Sequence, residues 1–128
     1  MTVVVSKEGN WDVVPGGASG TPSITVPNVL EGAVLKVTVE FEVDTGTDGG
    51  FYYGMTSAQI PDAMSPAQRA VAGVEGWQNV SMSSFWRHSP GNGTAEDVTF
   101  KLDITTGGYS KHGKIGQFLM FAELVSFD

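Results

Sequence analysis

The stretch "AVLKVTVEFEVD", residues 33 to 44, decides the fold class of this chain. Apolar residues occupy every second position: Leu35, Val37, Val39, Phe41 and Val43. Polar residues stand between them: Lys36, Thr38, Glu40 and Glu42. A period of two divides side chains between the two faces of a strand, whereas a helix would spread the apolar ones around its circumference. The stretch therefore predicts a β-strand with one face in a core.

A second clear strand is "EDVTFKLDIT", residues 96 to 105, which alternates in the same way. Its predicted inward residues are Val98, Phe100, Leu102 and Ile104. The glycine-rich segments "SPGNGT" and "TTGGYS" on either side are typical of turns that require positive φ. Weaker patterns predict further strands at residues 2–5, 10–14, 22–26, 50–55, 78–88 and 116–127. The chain thus contains about eight predicted strands.

The strand at residues 78–88 has an uncertain phase. Simple alternation places Val80, Met82 and Ser84 on one face and Phe85 on the other. A bulge or twist near Phe85 and Trp86 would change which face each ring occupies.

One helix is predicted, in "SPAQRAVAGVEG", residues 65 to 76. Ser65 is a typical N-cap, Pro66 stands at the first helical position, and Gln68 completes a capping box. Gly73 or Gly76 would end this helix.

These elements predict one domain, residues 1–128, with an all-β fold. The expected architecture is a jelly-roll-like antiparallel β-sandwich of about eight strands with one short helix. The alternative is an immunoglobulin-like sandwich, although the chain lacks its Cys–Trp–Cys pattern. A closed barrel is the third choice.

Composition argues against several classes of function. The net charge of −7 disfavours nucleic acid and anionic membranes, because binding to either requires clustered cations. No apolar run approaches the roughly 20 residues of a membrane span, so no membrane insertion is expected. The chain contains no cysteine, which removes disulfides and thiolate metal sites. The start "MTVVVSKEGNW" does not resemble a signal peptide.

The terminal segment "GQFLMFAELVSFD", residues 116 to 128, is apolar on both of its predicted faces. The face expected to point outward carries Leu119, Phe121, Glu123, Val125 and Phe127. Two explanations are open: a central strand covered by a loop or the helix of the same chain, or a subunit interface around a symmetry axis. At an interface, Glu123 would need a cationic or hydrogen-bonding partner, because a lone buried carboxylate is costly.

The closing stretch "SKHGKIGQFLMFAELVSFD", in a cysteine-free sandwich of this size, resembles the small jelly-roll modules of viral and phage particles. These include capsid decoration proteins, head fibres and tail-fibre tips. The resemblance is architectural and involves no diagnostic motif. It implies a non-enzymatic virion component, favoured as a homotrimer, that contacts a capsid or tail protein. The expected location is the virion after synthesis in the host cytoplasm, or alternatively the cytoplasm of a bacterium.

Catalytic patterns are missing from the sequence. There is no Gly-x-Ser-x-Gly elbow, and His88 and His112 each stand beside a cation, where a solvated histidine is the ordinary outcome. We therefore expect no enzyme, no catalytic residue and no cofactor. Asp44 and Asp48 in "EVDTGTDGG" leave calcium binding open, since the same residues are common in turns; no metal site is predicted.

Carbohydrate binding is the alternative function. Sugar-binding sandwiches stack sugar rings on flat aromatic side chains, and Tyr52, Trp77 and Trp86 are the candidates in this chain. Aromatic residues in strands are more often part of a core, so each ring has this competing explanation. The possible partner is then a surface glycan.

Overall fold

The computed structural model is an antiparallel β-sandwich. It describes residues 2–11, 23–57, 69–73, 75–89, 93–105 and 114–127, and their side chains within 23–57, 70–73, 75–89, 93–102 and 115–125. The strands are β1 (Thr2–Trp11), β2 (Ser23–Val29), β3 (Ala33–Asp44), β4 (Gly50–Ser57), β5 (Arg69–Ala72), β6 (Gln78–Arg87), β7 (Glu96–Thr105) and β8 (Lys114–Phe127). No helix occurs among the described residues.

The eight described strands form a jelly roll. The first sheet has the order β1-β8-β3-β6 and the second has the order β2-β7-β4-β5. Strand β1 pairs with β8, β2 with β7, β3 with β6 and β4 with β5, as in one long hairpin wrapped into two sheets. This topology confirms the predicted jelly-roll sandwich over the immunoglobulin-like alternative.

The core lies between the two sheets and follows the alternation in the sequence. Strand β3 has the predicted bounds, and its five apolar positions are buried. Strand β7 also has the predicted bounds, and Val98, Phe100 and Leu102 are fully buried. Phe41 of the first sheet meets Tyr53 of the second edge to face, with ring centroids 5.3 Å apart. Aromatic pairs of this kind fix how the two sheets stack.

The predicted helix is wrong where the structure describes it. Residues 69–72 form strand β5, which pairs with residues 50–53 at the edge of the second sheet. Gly73 has a φ of 67° and donates its N–H to the carbonyl of Gly49, which closes the pairing. Edge pairing therefore overrides a local helical preference worth only tenths of a kcal/mol per residue. Ser65 and Pro66 lie outside the described residues.

The terminal strand is internal to its sheet. Strand β8 lies between β1 and β3, so both of its backbone edges are paired. Its inward side chains Phe118, Met120 and Ala122 are buried. The central position of β8 explains its buried face, and both explanations for its outward face remain predictions.

Strand β6 runs through Phe85 and Trp86 without a bulge, in unbroken register with β3. Ser84 and Trp86 therefore both point inward, and Phe85 points outward. His88 follows on the inward side and is 2% exposed, so the prediction that it is solvated is wrong. The atoms Ser84 Oγ and Trp86 Nε1 are buried without a hydrogen-bond partner in the described structure, and Nε2 of His88 lies 3.8 Å from Oε2 of Glu96, beyond hydrogen-bond distance. Strand β6 and the residue after it therefore place polar atoms inside the otherwise apolar core. His112 lies outside the described residues.

Candidate functional site

The outer face of the first sheet carries most of the exposed polar and aromatic groups discussed below. Its described side chains are alternate residues of β3, β6 and β8. Cross-strand pairing arranges these residues in rows, each running from β8 across β3 to β6. The rows are Glu123–Lys36–Phe85, Phe121–Thr38–Ser83 and Leu119–Glu40–Ser81, followed by Glu42–Asn79 at the end nearest Trp77.

Trp77 is held against this face by a gap in the side chains of β8. Strand β8 has a bulge at Gly116 and Gln117, where the register with both β1 and β3 shifts by one residue. Gly116 has no side chain, and the indole of Trp77 occupies that space. A β-carbon on Gly116 would lie 3.0 Å from Cζ3 and 3.3 Å from Cη2 of Trp77. The ring therefore reaches from the start of β6 across β3 to β8.

The indole is positioned but not buried. Trp77 is 52% exposed, although the six-membered ring of its indole lies against Gly116. A large ring that is fixed on one side and open on the other is suited to stacking with a flat apolar surface.

Polar groups surround this ring. Oε2 of Glu42 lies 3.1 Å from the position that a Gly116 β-carbon would occupy, and so lies beside the indole edge. Asn79 is the cross-strand partner of Glu42 and is exposed, as is Gln117 in the bulge. Glu40, one row along β3, is also exposed. We call Trp77, Glu40, Glu42, Asn79 and Gln117 the acidic end of the outer face.

The opposite end of the face has a different character. Phe85 is 56% exposed, and its cross-strand partner is Lys36. Arg87 and Val125 are also exposed there. Between the two ends, Thr38 and Ser83 share a hydrogen bond of 2.9 Å between their hydroxyl oxygens.

The three aromatic candidates from the sequence are not brought together. Trp77 lies at the acidic end. Tyr52 is 36% exposed but belongs to β4, so it lies on the outer face of the other sheet. Trp86 is 7% exposed and packs edge to face on Phe100, with ring centroids 5.7 Å apart. Trp86 is therefore a core residue, and its indole is not open for stacking on a sugar.

The predicted interface residues lie on the outward side of β8. Leu119, Phe121 and Glu123 are half-buried within the single chain, and Val125 is exposed. The side chain of Phe127 is outside the described set. Glu123 faces Lys36 across the β8–β3 pair, so a cation of the same chain stands opposite this carboxylate.

The loop with Asp44 and Asp48 shows turn contacts. Oδ1 of Asp44 accepts a hydrogen bond of 3.1 Å from the N–H of Gly46, which has a φ of 69°. Among the side chains that the structure describes, no group of three or more histidine or acidic residues could hold a metal ion.

Sequence reasoning missed Gly116. The residue stands in an apolar run, and nothing local indicates that a tryptophan 39 positions earlier in the chain will lie on it. A glycine inside a strand pattern does indicate a bulge or a close approach, and that signal was present in "KIGQF".

Substitution of Gly116 by alanine is expected to move the indole. The new β-carbon would be within 3.3 Å of two atoms of Trp77 and one of Glu42, closer than ordinary packing permits. Both side chains can swing away, so stability should change by no more than about 1 kcal/mol. Any binding that uses the positioned ring should weaken at least about tenfold, which corresponds to 1.4 kcal/mol. Thermal melting and titration with the ligand would check this, with Val125→Ala as the control on the same strand.

Comparison with known proteins gives the fold and no closer relationship. No protein-family model and no curated protein matches the chain. The CBM22-1 xylan-binding domain of Xyn10C from Paenibacillus barcinonensis is similar in structure, with a TM-score of 0.55 and 12% identity over 98% of this chain and 96% of that one. The C-terminal domain of EclA, described as a sugar-binding protein, has a TM-score of 0.53 and 10% identity over 95% of this chain and 78% of that one. Both likenesses show a shared β-sandwich fold.

The described residues also contain no helix with the length and apolar character needed to cross a membrane.

Proposed function

We propose that this chain is a carbohydrate-binding module that binds sugar at the acidic end of the first sheet's outer face. The observation that carries the proposal is the indole of Trp77, which is more than half exposed yet lies against Gly116. The fold gives independent support, because both similar domains named above are described as binding xylan or sugar.

The chemistry of a sugar matches the groups around the ring. A pyranose has an apolar face of C–H groups, which stacks on an indole, and hydroxyls at its rim. The carboxylate of Glu42 accepts hydrogen bonds from hydroxyls, and the amides of Asn79 and Gln117 both donate and accept them. One aromatic platform with a few convergent polar groups is the usual composition of a small-molecule site.

The proposed module binds its ligand without changing it. Hydrolysis of a bound glycan by the purified chain would contradict that part of the proposal.

The first experiment is a glycan array, followed by calorimetric titration of the best ligand. Trp77→Ala should weaken binding at least about tenfold, since truncating a central tryptophan commonly costs 2 kcal/mol or more. Tyr52→Ala is the matched control, because that ring lies on the other sheet and should leave affinity unchanged. Both variants should keep the circular dichroism spectrum of the parent. If no glycan binds, or if Trp77→Ala binds as well as the parent, the proposal is wrong.

A trimeric virion component stays a second, separate candidate. The observation that favours self-association is the apolar character of Phe85 and Val125, which are exposed at the far end of the same face. Light scattering after size exclusion separates a trimer from a 13.5 kDa monomer.

A further inference from the structure

We infer that the acidic end selects a glycan with free amino groups, of the glucosamine class, over neutral and acidic glycans. This inference rests on the proposed function and adds the class of ligand to it. The inference is based on the exposed indole of Trp77, which lies beside the carboxylate of Glu42.

Charge on the outer face is unevenly distributed along β3. Glu40 and Glu42 lie in consecutive rows at the Trp77 end, whereas Lys36 lies three rows from Glu42. Six residues of strand separate Lys36 from Glu42 by about 20 Å, at roughly 3.3 Å per residue. This is more than twice the screening length of about 8 Å at physiological ionic strength, so Lys36 does not neutralise Glu42.

An ammonium group would be attracted both by the indole of Trp77 and by the carboxylate of Glu42. A cation over the face of an indole is attracted by the negative charge of the ring, and tryptophan is the best of the aromatic residues in this respect. A carboxylate beside the ring adds a charge-assisted hydrogen bond, which is stronger than a neutral one. A glucosamine unit supplies the apolar ring face and the ammonium in a single residue.

The same arrangement disfavours the opposite ligand charge. A uronate or sulfated sugar stacked on Trp77 would bring its anion toward Glu42 and Glu40. The net charge of −7 adds repulsion at longer range. Acetylation of the amino group removes the cation while keeping the sugar ring, and so provides a matched ligand.

The test compares four oligosaccharides of equal length by calorimetric titration: glucosamine, N-acetylglucosamine, xylose and galacturonic acid oligomers. We expect the glucosamine oligomer to bind at least about tenfold more tightly than its acetylated counterpart. Glu42→Gln should abolish that preference, so that the glucosamine oligomer and its acetylated counterpart bind with equal affinity. Glu31→Gln, in the turn before β3 at the far end of the strand, removes the same charge and should keep the preference.

Pentalysine distinguishes a sugar site from general attraction of cations to an acidic protein. If pentalysine binds as tightly as the glucosamine oligomer, or if Glu42→Gln keeps the preference, the inference is wrong although glycan binding stands. If only neutral or acidic oligomers bind, the inference is likewise overturned. If none of the oligosaccharides binds and a wider glycan array is also negative, the proposed function itself fails.

Discussion

Replacing Phe41 by alanine is expected to remove about 3–5 kcal/mol from the free energy of unfolding. Phe41 is 2% exposed, and its ring meets Tyr53 of the opposite sheet nearly perpendicularly, at 85°. The substitution would therefore remove apolar burial, open a cavity between the sheets and lose the edge-to-face contact. Small domains have only about 5–15 kcal/mol of total stability, so this variant should unfold at a much lower denaturant concentration.

Phe85→Ala is the matched control for that prediction, because it makes the same chemical change on the outer face. Phe85 is 56% exposed, so its truncation should cost less than about 0.5 kcal/mol. Chemical denaturation followed by circular dichroism measures both variants, and an unchanged m value keeps the comparison valid. Equal losses for the two variants would show that the assignment of inner and outer positions is wrong.

The fold could be predicted where alternation was long and regular. Strands β3 and β7 have the predicted bounds because nine or more residues of strict period two leave only one face for the core. Tyr52 follows the same rule, since it stands between the buried Phe51 and Tyr53 and is therefore exposed. In such segments the local pattern and the global fold agree.

Prediction failed where a short segment took its conformation from a distant partner. Strand β5 has four residues, too few for a clear period, and its pairing with β4 replaces the helix that the sequence predicts at residues 69–72. At the N-terminus, the predicted strand at residues 2–5 and the start of the one at 10–14 belong to a single strand, β1, with register shifts against β8 after Val3 and Asn10. Residues 12–14 lie outside the described residues. In both segments the conformation depends on pairing with another strand, which the local sequence does not reveal.

The candidate site could be predicted only in part, for the same reason. The sequence identified Trp77 as one of three aromatic candidates, but composition and spacing did not separate it from Trp86. That separation depends on the phase of β6, which places Trp86 in the core, and on the position of Trp77 just before the strand begins. The contact with Gly116 depends further on the order β8-β3-β6, which is a property of the whole sheet.

Introducing aspartate at Met120 is expected to prevent folding. Met120 is fully buried on the inward side of β8, opposite Val39 of β3. A carboxylate at this position would be removed from water in the core, and taking a charge out of water costs several kcal/mol. Loss of the folded circular dichroism spectrum at 25 °C would confirm this expectation. A folded, cooperative Met120→Asp variant would contradict the assignment of the inward face.

Phe121→Asp, one residue further along the same strand, separates the two explanations for the apolar terminal segment. Phe121 points outward and is half-buried opposite Thr38, so a carboxylate there retains access to water. If the outer face of β8 is covered only by its own chain, the variant should stay folded with a modest loss of stability and an unchanged mass. If the outer face forms a trimer, three aspartates would meet at the axis, and the mass should fall from three times 13.5 kDa to one. Because Met120→Asp destroys the fold under either explanation, only the neighbouring substitution can show whether β8 also joins subunits.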